Sequence, residues 1–278
     1  MPKVRKKPKL LRRRESRSHT ASDRGVDVNV AAISKRVPAG RGKGRYATPS
    51  NIELRRQREL IVWSGRGDFK DAQLTLLAGR RDAPDIDVFL AGDVNLLRSP
   101  CVSIVGTREV TDDGRSRARR LARELAAKGV VVVSGLAKGI DTAALTGAIE
   151  AGGRVIAVIG TPLDKASPIE NAELQQEIYR NHLLVSPFPT GEQVFPSNFP
   201  KRNRLMAALS DATVIVEASD TSGTLHQAVA CQELGRWLFI LRSVVDNPKV
   251  TWPRRFLPEP HTAVLDRTSD VFGKIGLS

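Results

Sequence analysis

Cysteine is nearly absent from this chain. The two that occur in 278 residues, Cys101 and Cys231, lie in apolar surroundings, at the start of a predicted strand and inside a predicted helix. They read as small core residues of a reduced compartment, and a disulfide framework is not expected. No apolar run approaches the length of a membrane span, and the basic N-terminus lacks the apolar segment of a signal peptide, so a cytoplasmic protein without membrane attachment is expected. Histidine is scarce too. His19, His182, His226 and His261 are scattered without ligand spacing, so neither a metal nor another cofactor is expected.

Acidic residues are missing where the basic ones concentrate. Residues 1–50 hold 15 Lys or Arg against Glu15, Asp23 and Asp27, whereas residues 51–278 hold 29 bases and 27 acids. Of the formal charge of +14, +12 therefore resides in the tail. With two basic clusters, Ser, Gly and Pro, and little apolar periodicity, residues 1–50 read as a disordered basic arm. A flexible polycation binds polyphosphate by releasing counterions, without sequence preference, so nucleic acid is its expected partner.

What is present is an α/β pattern, with 41% hydrophobic residues to build its core. Val130-Val131-Val132-Val133 is β-branched throughout, as suits a strand buried on both faces, and Ser134-Gly135 stops it. Gly135 and Gly139 then bracket a loop carrying Lys138, and Asp141 opens a helix. Such a turn sets backbone N–H groups, a hydroxyl and an ammonium at the carboxyl end of a strand, which suits phosphate.

The arrangement recurs. Strand-like runs at Val102–Val105, Val155–Ile159, Leu183–Val185, Thr213–Val216 and Trp237–Leu241 alternate with helical runs, the last of these strands closing the sheet. The expected fold is a Rossmann-like three-layer αβα sandwich with a mostly parallel sheet. Residues 51–98 form a lead-in of helix and short strand, 99–245 the Rossmann-like domain, and 246–278 an extension packing on it. In the lead-in, Leu54, Leu60, Ile61 and Trp63 mark one helical segment and Phe69, Leu74, Leu76 and Leu77 another. A Pro- and Gly-rich loop over Phe188–Pro200 precedes a helix from about Arg202 to Leu209. Crossovers bring every parallel strand out on one side. The tails Gly106-Thr107-Arg108, Ser134-Gly135, Gly160-Thr161 and Ser186-Pro187, with the turn Ser222-Gly223-Thr224, should therefore share one crevice.

These residues resemble a known family. Ile104-Val105-Gly106-Thr107-Arg108, Ser134-Gly135-Leu136-Ala137-Lys138-Gly139-Ile140-Asp141, Pro168-Ile169-Glu170-Asn171, Phe199-Pro200-Lys201-Arg202-Asn203-Arg204, and Val216-Glu217-Ala218 with Ser222-Gly223-Thr224-Leu225 resemble, in order, the motifs of the DNA-processing protein DprA (Smf) family. The resemblance runs from about Val88 to Ile240. It implies a homodimer that binds single-stranded DNA and delivers it to a RecA-type recombinase. It also implies that Arg108, Lys138 and the Arg202-Asn203-Arg204 group meet phosphates and that Phe199 offers a ring to a base; Lys201 lies in the same motif. The sequence departs from the family at Leu145, at Ser167 and at Leu241-Arg242-Ser243, and shows no winged-helix segment.

Each candidate has a plainer reading. Arg204 could pair with Glu217 or Asp211 inside the fold, and Phe199 could be a core ring. Two other functions share the fold. A LOG-type phosphoribohydrolase acting on nucleoside monophosphates needs a Gly-Gly-x-Gly-Thr loop and a helix glutamate, and Thr221-Ser222-Gly223-Thr224-Leu225-His226-Gln227 lacks the second glycine and the glutamate. A nucleotide sensor would use the same crevice without catalysis. The expectation is a non-enzymatic single-strand binder.

Overall fold

The computed structural model describes residues 46–67 and 85–277. The arm up to Arg45 and the second helical segment of the lead-in lie outside these residues. Fully buried central strands, with helices packed on both faces of their sheet, organise the rest.

The strands form a nine-stranded sheet in the order β1-β2-β6-β5-β4-β3-β7-β8-β9. β1 (Glu53–Arg56) and β2 (Asp87–Gly92) are antiparallel at one edge, and β2 runs antiparallel to β6 (Leu183–Ser186). From β6 the sheet is parallel through β5 (Val155–Val158), β4 (Val131–Ser134), β3 (Cys101–Gly106), β7 (Ala212–Glu217), β8 (Trp237–Leu241) and β9 (Thr262–Leu265). All four residues of β4, β5 and β6 are buried, as expected of strands covered on both faces.

Alternation along the strands divides the core. Val102 and Ile104 of β3 join Val132 and Val214 on one face, beneath α2 (Asp112–Ala127), α3 (Ile140–Glu150) and α4 (Ala172–Asn181). Cys101 and Val105 join Val133, Ile215 and Ile240 on the other, beneath α1 (Gln57–Trp63), α5 (Asn198–Ala208) and α6 (Leu225–Glu233). Each fully buried Val, Leu or Ile contributes about 1.5–3 kcal/mol, so these two faces carry the stability. Cys101 and Cys231 are both free and buried, and burial pushes their thiols up to about 12. Three short helices, α7 (Arg242–Val245), α8 (Pro253–Phe256) and α9 (Ser269–Phe272), complete the described elements. No helix among the described residues is long and apolar enough to cross a membrane.

The structure corrects the expected elements in three places. Leu54 lies in strand β1, paired with Phe89, and not in a helix, because the edge of β2 offers a partner backbone. α5 begins at Asn198 rather than near Arg202, since Pro200 falls in its first turn, where a missing N–H costs nothing. β8 does not close the sheet: β9 pairs with it from Leu238↔Thr262 to Leu241↔Leu265.

Candidate nucleic-acid interface

The chain runs from β3 outward to β6 on one side and returns to β7 on the other side of β3, so a switch point lies at the carboxyl ends of β3 and β7. A cleft of about 440 Å³ opens there. Gly106 at the tail of β3 makes the approach possible. A Cβ on it would sit 2.5 Å from Ile140 Cγ1 and 2.7 Å from the Glu217 carbonyl oxygen. The register between β3 and β7 shifts at this point, and Thr107 N–H donates to Glu217 O at 2.7 Å. Thr224 Oγ1 donates to Gly106 O at 3.0 Å, which seats the start of α6 against the same tail.

Nine of the fifteen sequence candidates line this cleft: Gly106, Thr107, Arg108, Phe199, Arg202, Asn203, Ser222, Gly223 and Thr224. Ser134, Gly135, Lys138, Gly160, Lys201 and Arg204 do not. Their environments explain why. The Ser134 hydroxyl is buried and donates to Ile104 O at 2.6 Å. Gly160 lies beneath Phe199, where an added Cβ would be 2.7 Å from Cδ1. Lys138 pairs with Glu170 at 2.7 Å on the surface, and Arg204 pairs with Glu233 rather than with Glu217 or Asp211. Ser186, at the tail of β6, is buried and donates to Thr161 O at 2.7 Å, so the tails of β5 and β6 do not reach the cleft.

The loop after β4 uses its own donors, contrary to the expectation of free N–H groups there. Asp141 Oδ2 accepts from Gly135 N–H at 3.1 Å and from Ala137 N–H at 3.4 Å. Arg202 completes this floor. It is only 6% exposed, donates through Nη1 to Val158 O at 2.8 Å, and lies so close over Gly135 that a Cβ there would be 1.6 Å from Nη1. Burial pushes the Asp141 carboxyl up, while the Arg202 guanidinium and the two amides pull it down. Arg202 Nε is buried without a hydrogen-bond partner in the structure. Asn203 Nδ2 donates to Gly223 O at 3.3 Å, tying α5 to the loop before α6.

The rim is different. Arg108 is exposed and its guanidinium carbon stands 5.3 Å from the centroid of the half-buried Phe199 ring. Lys201 is exposed on the first turns of α5. An exposed arginine over an aromatic ring supplies a cation and a flat apolar surface together, which is the chemistry of a base beside its phosphate.

Several lining residues were not among the candidates. Glu109, Asp141, Met206, Ser219 and Gln227 also face the cleft. Gln227, three residues beyond Thr224, could have been found from helical spacing; Met206 required knowing that α5 packs beneath the cleft. The contacts that brace the cleft from behind join residues far apart in the chain. Glu217 accepts from Thr111 Oγ1 at 2.7 Å, and Asp220 accepts from the Thr251 and Trp252 amides at 2.9 and 2.8 Å. Among the described residues, no group of three or more His, Cys, Asp or Glu is placed to hold a metal ion.

The sequence model of the DNA recombination-mediator protein A family matches residues 71–272, most of the chain. This chain belongs to that family. Among its relatives, DNA processing protein DprA of Streptococcus pneumoniae is 41% identical over 167 residues, covering 60% of this chain and 58% of that protein. DprA of Bacillus subtilis is 32% identical over 193 residues, covering 69% of this chain and 65% of the relative. The chain thus spans less than two thirds of either family member. The solved structure of the S. pneumoniae protein aligns with a TM-score of 0.63 at 34% identity, over 71% of this chain and 69% of the other. The structure of DNA processing protein A from Helicobacter pylori, described for its single-stranded DNA binding mode, aligns with a TM-score of 0.61 at 30% identity, over 70% and 89%.

Proposed function

We infer that this protein binds single-stranded DNA in DNA processing and recombination and is not an enzyme. The observation that carries this reading is Arg108, exposed over the Phe199 ring at the mouth of the cleft. Membership of the family and the similarity to a relative described for single-strand binding support it. Arg108 on the rim meets phosphate, with Lys138 and Lys201 extending the cationic path. Phe199 offers its ring to a base. The small residues Gly106, Thr107, Ser222, Gly223 and Thr224 let the strand approach the backbone, while Ser134, Gly135, Gly160, Arg202, Asn203 and Arg204 hold the frame. The basic arm adds affinity without sequence preference. The protein works in the cytoplasm as a homodimer and passes its strand to a RecA-type recombinase.

A second reading, a nucleotide bound in the same cleft, is favoured by its volume of about 440 Å³, a size that suits a small ligand. Hydrolysis of that nucleotide has no support, because Gln227 faces the cleft where a carboxylate would be needed and donates instead to Thr213 Oγ1 at 3.2 Å.

Fluorescence anisotropy of labelled oligo-dT on the full chain separates these readings. Duplex DNA and ATP should displace the oligonucleotide poorly, and Arg108→Ala should lower the slope of log K against log salt by about 0.7, the value for one phosphate contact on a single strand. Equal displacement by duplex would sink the single-strand reading. Displacement by ATP would favour the nucleotide.

A further inference from the structure

Phe195 is 49% exposed, and among the described residues no other Phe, Tyr or Trp is as open to solvent. Leaving so large an apolar ring in water forgoes its burial energy. The segment that carries it is nonetheless held in place. Asp164 Oδ2 accepts from Gly191 N–H at 3.2 Å, and Lys165 Nζ donates to Glu192 O at 2.7 Å, fastening the loop to the tail of β5. Phe195 O then accepts from Asn198 N–H at 3.0 Å, and Pro196 O from Phe199 N–H at 3.3 Å, so a tight turn joins Phe195 directly to the start of α5. Pro196 further restricts the backbone of Phe195 to extended conformations.

The ring four residues on is already engaged. Phe199 carries Arg108 over its ring and packs against Gly160 along its Cδ1–Cε1 side. Phe195 has no aromatic or cation partner among the described contacts, and Lys201, exposed and without an ion pair among the described residues, lies one turn into the same helix. Resting on the single-strand reading, we propose that Phe195 is a second base-stacking platform, outside the cleft, which takes a base of the strand as it leaves the Arg108–Phe199 mouth. The turn fixes the backbone that carries the ring, so stacking orders the Phe195 side chain and the base but no loop.

The test uses the full chain with two labelled strands of equal length, oligo-dT and an abasic tetrahydrofuran strand with the same phosphates. Phe195→Ala should weaken oligo-dT binding about five-fold or more, the lower end for losing one base–aromatic stack, and should leave the abasic strand and the melting temperature unchanged. Phe195→Trp should keep the affinity and show emission, above that of the wild-type tryptophans, that oligo-dT quenches and the abasic strand does not. An equal loss on both strands, or no loss on oligo-dT, overturns the platform. If the wild-type protein itself fails to prefer oligo-dT over duplex, the single-strand reading falls, and the platform with it.

Discussion

The two ends of the parallel sheet each bury an arginine, and they use it differently. At the amino end, Arg66 is 5% exposed, donates to the Leu97 carbonyl and to Ser99 O at 2.8 Å, and pairs with Asp211 at 2.5 Å; Asp211 also accepts from Cys101 N–H at 2.7 Å. Arg236 adds a bond to Arg66 O at 3.0 Å. Every one of these contacts joins one part of the chain to another. At the carboxyl end, Arg202 is as deeply placed, yet it makes one carbonyl bond, stands beside the buried Asp141 and faces an open cleft with exposed Arg108 on its rim. A buried charge with both terminal nitrogens committed acts as an internal clasp. One at the floor of a cleft also sets the potential felt by whatever enters.

Breaking the amino-end clasp gives the largest expected effect. Arg66→Met leaves Asp211 without its partner and should cost about 3–5 kcal/mol in urea unfolding, with oligo-dT affinity of the folded variant unchanged. A loss below about 1 kcal/mol would mean that the clasp is not what holds this end, and a loss of DNA affinity would erase the contrast between the ends. Acid tests the same end without a substitution. His182, at the amino end of β6, is buried with Nδ1 unpartnered, and burial beside Arg154 brings it down to about 4. The unfolded chain therefore takes up this proton first as pH falls through about 6.5. The stability is present in full above that pH and is lost progressively down to about 4, by up to about 3 kcal/mol. Unfolding free energies measured at steps across this window should show the decline, and His182→Gln should flatten it. The smallest effect on stability belongs to an exposed ion pair outside the cleft. Lys138 and Glu170 are 54% and 60% exposed, so Lys138→Ala should change stability by under about 0.5 kcal/mol while lowering the salt slope on oligo-dT by about 0.7. An unchanged slope would remove Lys138 from the DNA path.

Much of the fold was legible because its signals are local. The four valines before Ser134 announce a buried strand, and Asp112 to Lys128 shows its apolar stripe at helical spacing. The failures are elements that neighbours decide. Leu54 sits in a strand because β2 lies beside it, and β9 is four residues in a Pro-containing stretch whose partner is β8. Pro200 made the beginning of α5 look like loop, although proline is tolerated in a first turn. The candidate site divides the same way. Glycines and small polar residues after strands marked the edge of the sheet at which the cleft opens, and Arg108 and Phe199 stand together there. Nothing local showed that Arg204 would find Glu233.

Composition and short-range pattern were enough for the parallel sheet and the edge where its strands end, because β-branching and turn residues act over a few positions. Which cations remain free was settled only by folding. Lys138, Arg202 and Arg204 look alike in sequence, but their burial and partners depend on residues far away along the chain, brought close by the sheet and the helices packed on it. A charge's role follows from its solvation and its nearest opposite charge, and both are properties of the assembled structure.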